Sequence, residues 1–176
     1  MNSPADRRNR TVIGRVVTGT GDFAGDWMAA GAGKVVVPLP AHRGPGPVVA
    51  ARAAAGAREG GAAGVWVASF DVGRADESVG QSVLDAEQLW TLACQDSADT
   101  APLLVAGNLL GCVLSRPGYA LVAGTSAFVR GAVPEGVDGA RARFRRYAER
   151  LRHSMPELIR VADRFPPEHH AWATIA

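Results

Sequence analysis

The stretch that most limits what this chain can fold into runs from Lys34 to Phe70. KVVVPL, residues 34–39, is a β-branched run apolar on both faces and reads as a strand. HRGPGP follows as a turn, then VVAARAAAGAREGGA, whose alanines favour helix, then GVWVASF, residues 64–70, as a second strand. Two strands joined through a helix are expected to be parallel, with a right-handed crossover that packs the helix back on the sheet. On that helix Ala50, Ala54, Ala57 and Gly61 form one face opposite Arg52 and Glu59, and a face of small residues permits close approach.

The surrounding segments extend this βαβ unit into a single α/β (or α+β) domain. TVIGRVV, residues 11–17, reads as a further strand. Ser82 to Gln95 places Val83, Ala86, Leu89, Trp90, Ala93 and Cys94 at helical spacing, with Ser82 and Asp85 as a capping box. APLLVAGNLLGCVLS, residues 101–115, reads either as a buried helix opened by Thr100 and Pro102 or as two short strands broken at Gly107-Asn108, and its length favours the helix. Arg116-Pro117-Gly118 makes a turn, and YALVAGTSAFVRGAV suggests a hairpin pivoting near Gly124-Thr125. From Asp138, Phe144, Tyr147, Ala148, Leu151 and Met155 keep the helical period while Arg141, Arg145, Arg146, Arg150 and Arg152 crowd the remaining surface. Ser154-Met155-Pro156-Glu157 then reads as a fresh helix start, with Ser154 as cap, running to about Phe165. The expectation is a mixed sheet of about five strands with one βαβ unit, a late hairpin and C-terminal helices packed on it. Residues 1–10 read as a mobile arm, 11–165 as the domain and 166–176 as a tail.

At 176 residues the chain can bury a sizeable core without disulfides or metals. It has 47% hydrophobic and 20% charged residues, with no apolar run long enough to cross a bilayer and no signal-peptide pattern behind MNSPADRRNR. Cys94 and Cys112 form neither a disulfide framework nor a zinc-ligand spacing, which suits a reducing cytoplasm. The formal charge of +2 is too small to announce a nucleic-acid partner. Lys34 is the sole lysine, and the arginine bias fits a GC-rich coding sequence.

Residues 16–37 carry two nucleotide-like patterns, and both are incomplete. Gly19-x-Gly21-x-x-Ala24 follows a predicted strand, but the next strand ends Val37-Pro38-Leu39-Pro40, without the acid that would hold a ribose hydroxyl. Gly33-Lys34 lacks the P-loop's first glycine, where Met28 stands, and its hydroxyl, where Val35 stands. No cofactor is therefore implied. Whether residues 19–32 form a crossover helix or a loop decides which end of the sheet receives their glycines.

In parallel α/β sheets ligands bind outside the carboxyl ends of strands, so the loops after Leu39 and Phe70 are the candidate site. They supply His42, Arg43, Gly44 and Gly46, and Asp71, Arg74, Asp76 and Glu77. Gly44-Pro45-Gly46-Pro47 leads into a helix whose N–H groups attract anions, reinforced by His42 and Arg43. The bland alternative is a surface pairing of Arg43 with Asp71 or Asp76. The first functional expectation is thus a soluble protein binding a small anionic metabolite at a sheet rim, either as a binding protein or as an enzyme whose reaction class the residues do not identify. The alternatives are a homo-oligomer acting through the amphipathic C-terminal helix, segment 101–115 and the Trp172 tail, and RNA binding through the C-terminal arginines. The last is disfavoured, since Glu149, Glu157 and Asp163 are interspersed and no aromatic residue alternates with the arginines. No metal site is expected from His169-His170, no membrane contact is expected, and no G-x-S-x-G or H-E-x-x-H motif assigns a reaction.

Overall fold

The computed structural model describes residues 14–18, 21–31, 33–41, 46–70, 85–95 and 101–167. Five strands form one sheet: β1 (Val35–Pro40), β2 (Val65–Phe70), β3 (Ala101–Ala106), β4 (Gly111–Arg116) and β5 (Tyr119–Gly124). Their spatial order is β1-β5-β4-β3-β2, and every pairing is antiparallel. The described helices are α1 (Gly25–Ala29), α2 (Pro47–Glu59), α3 (Ala86–Gln95), α4 (Ser126–Ala132), α5 (Val137–Arg150) and α6 (Glu157–Arg164).

The α/β class, the five strands and the C-terminal helices are present, but the sheet is antiparallel rather than mixed, and the hairpin expected over 119–133 is a strand followed by a helix. β1, α2 and β2 do form the expected strand-helix-strand order, and β1 and β2 point the same way. They stand at opposite edges because three later strands fill the space between them. The segment 101–115 is two strands, not a helix. Gly107-Asn108 breaks it, with the Asn108 side chain accepting from Leu110 N–H at 3.1 Å and donating to the Gly60 carbonyl at 3.0 Å. Arg116-Pro117-Gly118 makes the expected turn, with Gly118 at φ +79°, and joins β4 to β5; no hairpin pivots at Gly124-Thr125. Thr125 instead caps α4, its hydroxyl accepting from Phe128 N–H at 3.4 Å.

Three further local expectations change. Residues 14–16 are helical, and Val17 makes only a bridge to Phe23, so the strand read over 11–17 is absent over its described part. Asp85 alone caps α3, accepting from Glu87 and Gln88 N–H at 3.0 and 2.9 Å; Ser82 lies outside the described residues. Ser154 does not cap α6; its hydroxyl donates to the Leu151 carbonyl at 3.2 Å and finishes α5.

Alternation along the strands fills both faces of the sheet. Val37, Leu39, Val65, Val67, Leu104, Val113 and Val122 meet the buried sides of α2, α3 and α4. Ala50, Ala54 and Ala57 are buried on α2 as expected, whereas Gly61 lies beyond the helix end and is exposed. Between α2 and the sheet the Phe128 ring fits a slot that Gly111 keeps open: a Cβ there would lie 2.1 Å from the ring. On the other face Val36, Leu103, Val105, Cys112, Leu114 and Ala123 are covered by Val16, Val17, Trp27 and Phe165.

The two edges differ. The register with β5 turns the N–H and C=O groups of positions 36, 38 and 40 outward on β1, and prolines occupy two of these, leaving Val36 as the outward donor. The Val36 carbonyl accepts from Arg141 of α5 at 3.0 Å, and α5 packs along the strand. On β2 the bond from Gly107 N–H to the Gly64 carbonyl, 2.8 Å, fixes Val65, Val67 and Ser69 as the outward positions. That edge carries no proline and no charge, yet Val65 and Val67 are 0% and 4% exposed, with α3 packed against the strand.

Candidate functional site

A cavity of about 230 Å3 opens where β1 begins, lined by Val35, Val129, Arg130, Val133, Pro134 and Val137, with Ser126 and Gly136 completing its wall. Its shape follows from the sequence of α4 and the turn after it. Thr125 starts α4, Val129 and Val133 turn inward at helical spacing, and Pro134 ends the element. Gly136, at φ +80° and ψ +160°, takes a conformation open to glycine alone and launches α5 beside the cavity mouth.

The turn is held from α2. Arg52 donates to the Ala132 carbonyl at 2.9 Å and grips Glu135 with both guanidinium nitrogens, at 3.0 and 2.9 Å. Partial burial alone would raise the Glu135 carboxyl, but the Arg52 hydrogen bond and charge, helped by Arg143, hold it below the usual carboxylate range. At the mouth Arg130 pairs with Glu59 at 3.2 Å, both exposed. Such a pair is readily exchanged for a ligand carboxylate, because a surface ion pair contributes about 0 to 1 kcal/mol. Gly136 gives α5 no side-chain cap, so its first N–H groups and positive dipole end face the same region, with Asp138 the acidic residue of that turn. Apolar walls and a cation at the mouth suit an anion with a small apolar body.

Of the predicted site residues only Gly46 is described. His42, Arg43, Gly44, Asp71, Arg74, Asp76 and Glu77 are outside the described residues. Gly46 is described and is the N-cap of α2, again without a side-chain cap. The framework places Ala41, Gly46 and the end of β2 on one rim, opposite the cavity. Across that rim the ends of β1 and β2 are four strand spacings apart, roughly 19 Å. The cavity escapes a sequence reading because residues 119–133 look like one hairpin; the signal that could have exposed it is Thr125 as a helix cap before SAFVRGA.

The nucleotide-like segment has a structural use. Lys34 Nζ donates to the Trp27 and Ala30 carbonyls at 2.5 and 3.2 Å and lies over the Trp27 ring, closing the C-terminal end of α1. Arg116 donates to the Gly21 carbonyl at 2.6 Å, and Trp27 Nε1 to the Leu109 carbonyl at 2.8 Å, so the segment spans the sheet face from rim to rim. It is neither a crossover helix nor a loop between antiparallel strands, because no strand precedes it among the described residues.

Cys112 is fully buried, and burial pushes its thiol well up, which removes it as a nucleophile. The side chain of Cys94 lies outside the description. Among the described residues no group of His, Cys, Asp and Glu could hold a metal, and no helix is long and apolar enough to cross a membrane. Comparison with protein-family models, curated proteins and solved structures returns no match.

Proposed function

We propose that the protein binds a small ligand with an apolar body and an anionic head at a rim of its sheet, acting in the cytoplasm. The observation that carries this reading is the valine-lined cavity with Arg130 at its mouth. Its volume, about 230 Å3, is below the roughly 300 Å3 at which drug-sized sites begin, so the fitting ligand is a short branched or monocyclic carboxylate. Native mass spectrometry of the purified protein tests for a retained small mass, and calorimetric titration with isovalerate and benzoate tests the class. Arg130→Gln is expected to weaken binding about tenfold, and Val137→Phe, which fills the cavity, to abolish it. Absence of a retained mass together with no saturation by either carboxylate at millimolar concentration would overturn the reading.

A second location for the same chemistry is the opposite rim, favoured by one observation: β1 and β2 end there and α2 opens there. In that case Arg43→Gln and Asp71→Asn weaken anion binding while Arg130→Gln leaves it unchanged. Two of the features that suggested a homo-oligomer are used inside the fold: Phe144, Tyr147 and Ala148 are buried against α6, and the strands of 101–115 lie within the sheet; Trp172 lies outside the described residues. The only large apolar side chains exposed among the described residues are Val48 and Leu110, 62% and 39%. They stand on opposite rims.

A further inference from the structure

The five arginines of α5 separate into two groups by what they touch. Arg141 donates to the Val36 and Pro166 carbonyls, and Arg145 pairs with Glu149 and with Asp163 of α6. Both hold the helix in place. Arg143, Arg146 and Arg150 stand at i, i+3 and i+7, on one exposed stripe, and with Glu149 they line a shallow concavity of about 660 Å3. Arg143 reaches only to 3.7 Å from Glu135, which Arg52 already grips. Among the described residues no ion pair holds Arg146 or Arg150, and Glu149 is engaged by Arg145. Like charges at three- and four-residue spacing repel one another, so the stripe carries a repulsion that a bound polyanion relieves.

We propose that this stripe docks the phosphate backbone of a nucleic-acid duplex. The three guanidinium groups are spread over roughly 10 Å of helix, the reach of about three successive phosphates along one strand. No exposed aromatic residue lies in the stripe, so it offers no stacking platform for single-stranded bases. No exposed large apolar residue lies there either, so it lacks the anchor that a protein partner requires. A surface that binds by charge alone, with planar forks suited to phosphate, selects backbone rather than sequence.

The test is fluorescence anisotropy with labelled 20-base-pair RNA and DNA duplexes of unrelated sequence, using the full chain. Affinity is expected to fall roughly fortyfold between about 50 and about 200 mM salt, as three neutralised phosphates require. Arg143→Gln/Arg146→Gln/Arg150→Gln should weaken binding at least tenfold at about 50 mM salt. The control Arg152→Gln/Arg160→Gln, on exposed positions outside the stripe, should weaken it far less. Far-UV circular dichroism melts check the fold of the triple variant. Should it fail to fold, Arg146→Gln and Arg150→Gln singly must each lower the salt slope by about one. No binding of either duplex at about 50 mM salt, wild-type affinity in the triple variant, or tighter binding of poly-glutamate than of both duplexes overturns the proposal.

Discussion

Along β1 the outward backbone positions are Val36, Pro38 and Pro40; along β2 they are Val65, Val67 and Ser69. The first edge is closed by its own chemistry, since two of its three donors are missing and Arg141 occupies the Val36 carbonyl. The second keeps a full set of donors and acceptors and is closed by packing. Unpaired, uncharged, proline-free edge strands are templates for pairing with another chain. The contrast teaches that the same hazard can be met at the level of covalent structure or of tertiary structure. Only the second protection disappears when a helix loosens.

Substitutions that loosen each helix break the comparison most sharply. Phe144→Ala, on the buried side of α5, is expected to cost about 3 to 5 kcal/mol by chemical denaturation. Leu89→Ala, equally buried on α3, should cost about 2 to 5 kcal/mol. Under mildly destabilising conditions the Leu89 variant should self-associate in light scattering beyond the parent chain while the Phe144 variant does not, because Pro38 and Pro40 remain. Equal association of the two would show that the prolines protect nothing.

Arg141→Met keeps the aliphatic stem and removes the charged donor to the Val36 carbonyl, at an expected cost of about 1.5 to 3 kcal/mol. Adding Pro38→Val and Pro40→Val to that variant restores a complete edge, and association should then appear at β1 as well. A triple variant that associated no more than the parent chain would place the protection in the body of α5.

Glu135→Gln probes the turn that aims α5 along β1. The Glu135 carboxyl is lowered in the folded state, so its contribution is present above its ordinary value of 4.5 and is lost as pH falls through the folded value. The stability difference between the parent chain and the Glu135→Gln variant should therefore be under about 1 kcal/mol near neutrality and vanish in acid, as thermal melts across pH will show. The smallest effect is expected mid-sheet, away from both edges. Ser115, 2% exposed on β4, has no hydrogen-bond partner for its hydroxyl among the described residues, so Ser115→Ala should be neutral or raise stability by up to about 1 kcal/mol. A loss above that would mean that the hydroxyl is used.

The sequence was most legible where a segment's local pattern and its tertiary role agree. KVVVPL, GVWVASF, the alanine-rich helix and the Phe144-Tyr147-Ala148 stripe all appear where their periodicity puts them. It misled where a buried antiparallel strand has the apolar content of a helix, as in 101–115, and where pairing is decided by strands that come later. Nothing within residues 34–70 states that β3, β4 and β5 will intervene. The Arg130 cavity was hidden for a related reason, since it is assembled from β1, α4 and α5 and has no contiguous signature. The separation of Arg141 and Arg145 from the exposed arginine stripe of α5 likewise depends on Val36 and Asp163, distant in the chain.

The strand order also sets a timetable. β2, β3 and β4 each pair with the next strand in sequence, so the meander from β2 to β5 can assemble from comparatively local encounters. β1 is made before all of them, yet Val35 has its partner only in Gly124, the last residue of the last strand. Joining them closes the longest loop in the sheet and comes late. During synthesis β1 has no native partner until β5 emerges. The prolines that silence its outer edge in the finished protein close that edge from the start and leave the groups of Val35, Val37 and Leu39 as the side on which β1 can pair.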